Sequence, residues 1–171
     1  MDTSVMQAFA NLTTGIYVLT VNDDGHHHGM SSSWVTQVSG TPALFTAAID
    51  NQHFSRALVI KTGAFGLNIV GRRGHALEDY FYSAKARRAD NLTDLSYILS
   101  PNLQVPWLEL AMAAIEARVR DSFAAGDHTI LVAEPVSVRL GADDRPLTSL
   151  DLDYVYVGGK QVLKRDRTGW D

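Results

Sequence analysis

The stretch His28-Gly-Met-Ser-Ser-Ser-Trp-Val-Thr-Gln-Val-Ser39 lies at the centre of the pattern that decides the fold. Upstream of it, Ile16–Val21 is β-branched and aromatic, which predicts a buried strand. Asn22–Gly25, between the two, has the composition of a hairpin turn. Met30–Val38 is therefore predicted to return as the second strand of a hairpin, with three serines in its first half.

Further strands follow as short apolar or alternating runs. They are predicted at Ala43–Ile49, Ala64–Val70 and Thr129–Leu140, with a closing hairpin formed by Tyr154–Val157 and Gln161–Leu163. Another segment, Ala113–Arg120, is ambiguous. Its composition favours a helix, whereas its alternation of apolar and ionic residues favours a strand. We interpret it as a strand, because one ionic face and one apolar face fit a pleat.

Three short helices are predicted between the strands. They cover Asp2–Leu12, Phe54–Thr62 with Gly63 as its C-terminal cap, and the region of Leu77–Ala84. Residues 86–107 are predicted to be rich in loops. Many short strands with few helices indicate a mainly β fold, an antiparallel, Greek-key-like barrel. The whole chain, residues 1–171, is interpreted as one domain.

The composition excludes several classes of protein. Of the 171 residues, 46% are hydrophobic and 20% are charged, which is typical of a globular domain. The chain has no cysteine, so it has no disulfides, thiol nucleophiles or iron–sulfur clusters, and any electrons would be carried by a bound cofactor. A net charge of -4 argues against a nucleic-acid partner. No apolar run could span a membrane and the N-terminus lacks signal-peptide features, so we expect a cytoplasmic protein without a membrane partner.

Three stretches carry side chains suited to binding a ligand. The densest is the serine-rich run, whose hydroxyls can bond to a flat polar ligand, although the same run can form a turn around a core tryptophan. The second, Ile49–Arg56, ends a strand and begins a helix, where free N–H groups attract anions; an ordinary helix cap is the alternative. The third is the strand face of Ala64, Gly66 and Asn68, which leaves room for a flat ligand unless another sheet packs on it.

Two further features concern histidines and charge. His128 lies in a Gly-Asp-His-Thr turn at the start of a strand, where it is either catalytic or structural. A metal is not expected at His26–His28, because neighbouring histidines on a turn point in different directions and no carboxylate follows at helical spacing. Residues 72–88 carry five basic side chains against two acidic ones, which form either a solvated face or a region that attracts a phosphate-bearing ligand.

Together these motifs resemble the flavin reductase-like, FMN-binding split-barrel family over about residues 5–163. The resemblance rests on the order and spacing of Thr14–Thr20, His28–Ser39, Pro42–Leu44, Gly63–Val70, Gly126–Ile130 and Tyr156–Gly159. It implies a split β-barrel homodimer that binds FMN, or alternatively FAD, beside the subunit interface.

The resemblance also implies roles for individual residues. His128 matches a family histidine near the flavin and the nicotinamide, and is expected to be catalytic. Residues 78–107 depart from free-standing flavin reductases, and the segments Trp34–Val38 and Asn51–Ser55 look more like modules of electron-transfer flavoproteins. The residues that match cofactor-binding segments of the family are Ser31, Ser32, Ser33, Trp34, Val35, Thr36, Asn51, His53, Phe54, Ser55 and Asn68.

Three functional hypotheses follow. The first is an oxidoreductase that transfers a hydride from NADH or NADPH to FMN and passes electrons to free flavin or an electron-accepting protein. The second is an FMN-carrying electron-transfer module of the flavodiiron- or rubredoxin-associated type, without NAD(P)H activity of its own. The third is a flavin-free barrel that binds another ligand, such as haem. No dinucleotide fingerprint in the sequence distinguishes NADH from NADPH.

Overall fold

An antiparallel seven-stranded sheet is the body of the protein in a computed structural model, which describes residues 1–159 and 161–165. Its strand order is β2-β1-β5-β8-β9-β4-β3, and two separate pairs, β6 with β7 and β10 with β11, complete the strands. The predicted mainly β, antiparallel fold is therefore confirmed. The strands in chain order are β1 (Tyr17–Asp23), β2 (His26–Ser32), β3 (Val35–Gly40), β4 (Ala43–Asp50), β5 (Ala64–Ile69), β6 (Tyr97–Leu99), β7 (Pro106–Leu108), β8 (Ala113–Ala125), β9 (His128–Leu140), β10 (Tyr154–Gly158) and β11 (Gln161–Lys164).

The helices are α1 (Thr3–Ala10), α2 (Phe54–Thr62) and α3 (His75–Tyr82), close to the predicted positions. Gly63 ends α2 in the left-handed conformation (φ 67°), as its C-terminal position predicts, and its N–H donates to the carbonyl of Val59. The third helix begins and ends two residues earlier than predicted, because Ser83 is extended and its hydroxyl caps a following 3₁₀ turn, Ala84–Arg87.

The predicted single strand Met30–Val38 is wrong, because the chain forms two strands there. β2 pairs with β1 through the Asn22–Gly25 hairpin, with Tyr17 opposite Ser32 at its far end. β3 pairs instead with β4, at the other edge of the sheet. Ser33 and Trp34 form the two-residue link. Serine is common in turns, and the alternative interpretation of the serine-rich run as a turn around a tryptophan pointed to this break.

The sheet bends round on itself because its two edge strands, β2 and β3, are separated by that short link. Met30 of β2 belongs to the same buried cluster as Phe45, Ala47 and Ile49 of β4, and the Ala48 N–H donates to the Trp34 carbonyl (3.0 Å). Within residues 1–159 and 161–165, no hydrogen-bonded ladder joins β2 to β3. The barrel-like curvature thus comes from the link and from side-chain packing, and the edges approach each other at the serine-rich end of β2.

The ambiguous segment Ala113–Arg120 is a strand, part of β8, as its alternation predicted. Glu116, however, does not lie on an exposed ionic face. It is fully buried and accepts hydrogen bonds from the Ser100 hydroxyl and the Asn102 N–H (2.9 Å). These donors come from residues 86–107, a segment predicted as loop-rich that contains β6, β7 and part of a 3₁₀ turn. Glu116 therefore anchors this segment against the sheet.

A second buried apolar cluster holds α3 beside the sheet. Leu77 and Phe81 of α3 share this cluster with Val18 of β1 and with Leu152, just before β10. The cluster fixes α3 and β10 next to the end of β2, where the serines lie. Among the described residues, no helix combines the length and apolar character needed to cross a membrane.

Candidate active site

A cavity of about 350 Å³ opens where the end of β2 meets α3, β10 and the start of α2. The sequence analysis predicts twelve site residues, and half of them line this cavity. They come from three distant parts of the chain: the serine-rich link, the start of α2 and the start of β9. The expected residues that line the cavity are Ser31, Ser32, Ser33, Trp34, His53 and His128.

The other expected residues, Val35, Thr36, Asn51, Phe54, Ser55 and Asn68, are not part of the cavity wall. Val35 and Thr36 begin β3, where they pair with Ala47 and Thr46 of β4. The Phe54 side chain is largely exposed and contacts the His28 ring edge-on, with ring centroids 4.9 Å apart.

Asn51 supports the turn that carries His128. Its backbone N–H donates to the Asp127 carbonyl (2.9 Å), and its side-chain oxygen accepts from the Thr129 hydroxyl (2.7 Å). The Arg56 guanidinium in turn donates to the Thr129 hydroxyl (2.7 Å). Asn51 therefore fixes the position of His128 relative to α2. Asn51 itself lies behind the cavity wall and does not line the cavity.

Ser55, expected to lie in a cofactor-binding segment, is fully buried and shares a hydrogen bond with Nδ1 of His28 (2.8 Å). The Ser55 N–H donates to Nδ1 of His53 (3.2 Å), so His53 is the N-cap of α2. Burial, with a further contribution from His53, lowers the pKa of His28 to about 4. Burial also lowers the pKa of His53. Neutral imidazoles thus sit beneath the start of α2 near neutral pH.

Asn68 is fully buried, and protein groups satisfy its amide. Its NH₂ donates to the Val18 carbonyl (3.1 Å) and the Thr20 hydroxyl (3.2 Å), and its carbonyl accepts from the Leu108 N–H (2.8 Å). The small-residue face of β5 does not leave room for a flat ligand, because a Cβ at Gly66 would lie 2.8 Å from the Pro106 carbonyl oxygen. The alternative reading, packing against other strands, is the one that the structure adopts.

The serine-rich end of β2 behaves differently. The Ser31 hydroxyl donates to a carboxylate oxygen of Glu78 (3.0 Å). Ser32 lines the cavity, and its hydroxyl is buried and has no hydrogen-bond partner among the described residues. Because most buried polar groups in proteins are hydrogen-bonded, an unpaired hydroxyl on a residue that lines a cavity is a candidate for a hydrogen bond to a ligand.

Aromatic rings form a second wall. Trp34 packs against His128, with ring centroids 4.5 Å apart, and against Tyr156 at 5.3 Å. Nδ1 of His128 bonds to the Asp127 carboxylate (2.7 Å), and this bond lowers the pKa of Asp127. Only Nε2 of His128 then remains for a ligand. Gly158, with a positive φ of 94°, lets the backbone pass close to the indole, since a Cβ there would lie 3.2 Å from the Trp34 ring.

A third wall, formed by α3 and β10, was not expected from the sequence. Glu78 is buried and accepts hydrogen bonds from Ser31 and from the Tyr154 hydroxyl. Tyr82, one turn along α3, stacks on Tyr154 with ring centroids 4.6 Å apart and an interplanar angle of 25°. Burial, and secondarily Glu78, raise the pKa of Tyr154, so its hydroxyl stays protonated and donates. The helical spacing of Leu77, Glu78 and Phe81 was the available signal, because it places Glu78 on the buried side.

The charge of the cavity wall is one-sided. Among the described residues that line it, the charged side chains are the carboxylates of Asp50 and Glu78, with no lysine or arginine. Basic residues of the 72–88 region lie elsewhere: Arg72 pairs with Asp151, and Arg88 pairs with Asp94 (2.8 Å). In residues 1–159 and 161–165, no group of three metal-ligating side chains is close enough to hold a metal ion.

Comparison with known proteins identifies the family. Residues 9–159 match the family model described as the flavin reductase like domain. The chain belongs to the flavin reductase-like family. This flavin reductase-like chain is 28% identical over 142 residues to an NADPH-flavin oxidoreductase of Streptomyces viridifaciens, covering 82% of the chain and 73% of that relative. It is 23% identical over 150 residues to a high molecular weight rubredoxin of Moorella thermoacetica, where 86% of the chain spans 64% of the relative.

Solved structures confirm the fold. The flavin reductase-like chain superposes on the NADH:FAD oxidoreductase SgcE6 of Streptomyces globisporus C-1027, solved with NAD and FAD fragments, with a TM-score of 0.76. The match covers 96% of this chain and 93% of that one at 17% identity. At this identity the similarity establishes the fold alone.

Proposed function

We propose that this flavin reductase-like chain binds a flavin, FMN before FAD, in the cavity and catalyses its reduction by NADH or NADPH. The observation that carries the proposal is the convergence of the serine-rich link, His53 and His128 on one cavity from three distant parts of a chain that belongs to this family. The flavin and the nicotinamide dinucleotide are the only redox groups needed, which is consistent with a chain that has no cysteine.

The size and the polar groups of the cavity support the proposal of a flavin site. Its volume of about 350 Å³ lies in the range of small-molecule sites. The unpaired Ser32 hydroxyl can bond to a ring carbonyl or nitrogen, and Ser33 beside it adds a second hydroxyl to the wall. Trp34 and Tyr156 offer apolar ring faces for a flat ligand.

When bound, the flavin supplies the redox chemistry, taking up a hydride and passing electrons to an acceptor. The protein's own groups orient and enclose it. Ser32 and Ser33 fix the edge of the ring system by hydrogen bonds, and Trp34 and Tyr156 exclude water from one side of the site. No side chain acts as a nucleophile, so the rate depends on orientation and on preorganised hydrogen bonds.

His128 positions the nicotinamide in this proposal. The Asp127 carboxylate and the Trp34 ring hold the imidazole in place, and Nδ1 is already bonded. Nε2 therefore bonds to the carboxamide of the nicotinamide or to the flavin edge. A bound nicotinamide held at the wrong angle would react slowly, so this contact affects the reduction rate more than it affects flavin affinity.

The experiment is anaerobic mixing of the purified protein with FMN and with NADH or NADPH in turn, followed by the flavin absorbance. Rapid bleaching of the flavin, in excess of the rate without protein, is expected with at least one dinucleotide. Binding of FMN without bleaching by either dinucleotide would contradict the reductase activity. Absence of flavin binding would contradict the whole assignment and favour the flavin-free alternative.

A second candidate function is an FMN-carrying electron-transfer module that lacks NAD(P)H activity of its own. The similarity to the high molecular weight rubredoxin is the observation in its favour. It is the weaker candidate, because the NADPH-flavin oxidoreductase is matched at higher identity and over a larger share of its length. Binding of FMN without reduction by NADH or NADPH, but with reduction by an electron-transfer protein, would favour it.

We propose a homodimer that acts in the cytoplasm, with an electron-accepting protein or free flavin as the final acceptor. Phe123, Val138 and Leu140 of β8 and β9 expose large apolar side chains, Leu140 to 83%. The described cavity wall also lacks a lysine or arginine that could meet a phosphate, and a second copy could supply that charge. Light scattering at micromolar concentration is expected to give the mass of a dimer; a monomer mass would contradict this.

A further inference from the structure

The buried carboxylate of Glu78 is the feature of the cavity that the proposed function does not use. Glu78 is a residue of α3 on the side that faces the cavity, and its side chain is almost fully buried. No ion pair to Glu78 exists within the described residues. A buried carboxylate without a cation is unfavourable, so its presence in a cavity calls for a role.

The position of Glu78 is fixed on both sides. One carboxylate oxygen accepts from Ser31 at the end of β2, and the other accepts from the Tyr154 hydroxyl of β10. Tyr82 stacks on the same Tyr154 ring and restricts its movement. These contacts hold the carboxylate at the cavity wall, and both partners are neutral hydroxyls.

The chemistry of this end of the cavity follows from that charge. A carboxylate has about four acceptor sites, of which the described hydrogen bonds use two. The end beneath α3 can therefore accept hydrogen bonds from a ligand. It repels a phosphate, and no lysine or arginine among the described lining residues offsets that repulsion.

We propose that Glu78 is a specificity-determining residue that selects by charge: it admits the neutral, hydrogen-bond-donating part of the ligand beneath α3 and keeps phosphate groups away. The inference rests on the proposed function, since the ligand is taken to be a flavin. The imide N–H of the ring or the ribityl hydroxyls are the donors of the right class. The phosphate of FMN then lies away from α3.

The test compares FMN with riboflavin, which differ only by the phosphate. Equilibrium titrations of the purified protein, followed by flavin fluorescence, give the ratio of the two affinities for wild type and for Glu78→Gln. Glutamine keeps an acceptor oxygen for Ser31 or Tyr154 but removes the charge. The expected result is a shift of the ratio towards FMN by on the order of fivefold, because a repulsion acting on FMN alone is lost. The shift is expected to shrink at high salt.

Two variants separate this role from a structural one. Asp79→Asn, the matched control, removes an exposed carboxylate from the next position of α3 and is expected to leave the ratio within about twofold of wild type. Tyr154→Phe removes a hydrogen bond to Glu78 but keeps the charge, so it is expected to weaken both flavins by the same factor.

The outcomes distinguish the inference from the proposed function. An unchanged ratio in Glu78→Gln, or an equal shift in Tyr154→Phe and Glu78→Gln, would overturn the charge-selection role while flavin binding stands. If wild type binds neither FMN nor riboflavin, the proposed function fails first, and the charge-selection role fails with it.

Discussion

The polar face of β5 and the serine-rich end of β2 lie on either side of β1, with Asn68 and Ser31 both opposite Val18. Both regions carry buried polar side chains, and both were expected to contact a flat ligand. In β5 the Asn68 amide is satisfied by backbone and side-chain groups of the protein. In β2 the Ser32 hydroxyl is equally inaccessible but has no partner among the described residues.

The difference teaches how to separate a structural polar residue from a binding one. Residue type and burial are similar in the two strands, so neither separates them. The two kinds of residue differ in the number of hydrogen bonds that the protein already makes to them. A satisfied amide gains nothing from a ligand, whereas an unpaired hydroxyl gains a hydrogen bond. On this criterion we propose Ser32 as a binding residue, whereas Asn68 is a structural residue of the core.

The largest expected effect is the loss of stability on replacing Asn68. Asn68→Leu keeps the branching of the side chain but leaves the Leu108 N–H and the Val18 carbonyl without this partner, inside a buried region. We expect a loss of about 3 kcal/mol or more in the free energy of unfolding, measured by urea denaturation. FMN affinity of the folded protein is expected to change by less than about twofold.

Asn11→Leu, at an exposed position of the chain, is the control and should change stability by less than about 0.5 kcal/mol. A folded Asn68→Leu protein of normal stability that has lost FMN affinity would reverse the comparison, since it would place Asn68 in the binding site.

The second effect is kinetic and concerns His128. Replacing it by alanine removes the ring that Asp127 and Trp34 hold in place at the cavity. Anaerobic stopped-flow with saturating FMN is expected to show reduction by the dinucleotide slowed by about 10- to 100-fold, with FMN affinity changed much less. His75→Ala, which removes a partly exposed histidine of α3, serves as the control. A normal reduction rate with a lowered melting temperature would make His128 a structural residue of its turn.

The part of the structure that could be predicted from the sequence differs between the fold and the candidate site. Alternating and β-branched runs located most strands, because a half-buried strand needs a period of two. A turn in the serine-rich run was open as an alternative, but the exact break at Ser33 and Trp34 depends on β3 joining the far edge of the sheet. Pairing across a curled sheet is a long-range property that local composition does not encode.

For the site, local motifs singled out Ser31–Trp34, His53 and His128, which the structure brings together in the cavity wall. Asn51 and Ser55 were assigned to the ligand but bond instead to the protein. The sequence shows that these side chains can form hydrogen bonds, but it does not show which groups they bond to. Glu78 was missed because a charged residue on a helix is usually solvated, although its helical spacing with Leu77 and Phe81 places it on the buried side.

The third effect is on pH dependence and extends the comparison to His28, a buried polar residue that is satisfied by Ser55. Its folded-state pKa is about 4, below the ordinary value of 6.5, so the unfolded chain binds more protons between those two pH values. Stability is therefore expected to fall as the pH is lowered through this window. We expect a loss of about 1–2 kcal/mol between about pH 7 and pH 5, measured by urea unfolding.

His28→Asn, which can still bond to Ser55, is expected to flatten this dependence, while His26→Asn at the exposed turn is expected to leave it unchanged. His53 contributes in the same direction, because burial lowers its pKa as well, although Asp50 opposes the shift. A profile for His28→Asn as steep as that of wild type would assign the effect to His53 and the other titrating groups.

The smallest effect is also the most direct test of the comparison. Ser32→Ala removes a hydroxyl that makes no hydrogen bond within the described protein, so the free energy of unfolding is expected to change by less than about 0.5 kcal/mol, or to rise slightly. FMN affinity, measured by fluorescence titration, is expected to fall by about 3- to 10-fold, because a hydrogen bond to the ligand contributes about 1 kcal/mol. Ser39→Ala, in a strand outside the cavity, is the control. If Ser32→Ala loses stability and keeps its FMN affinity, the unpaired hydroxyl has a partner within the protein, and hydrogen-bond completeness does not separate β2 from β5.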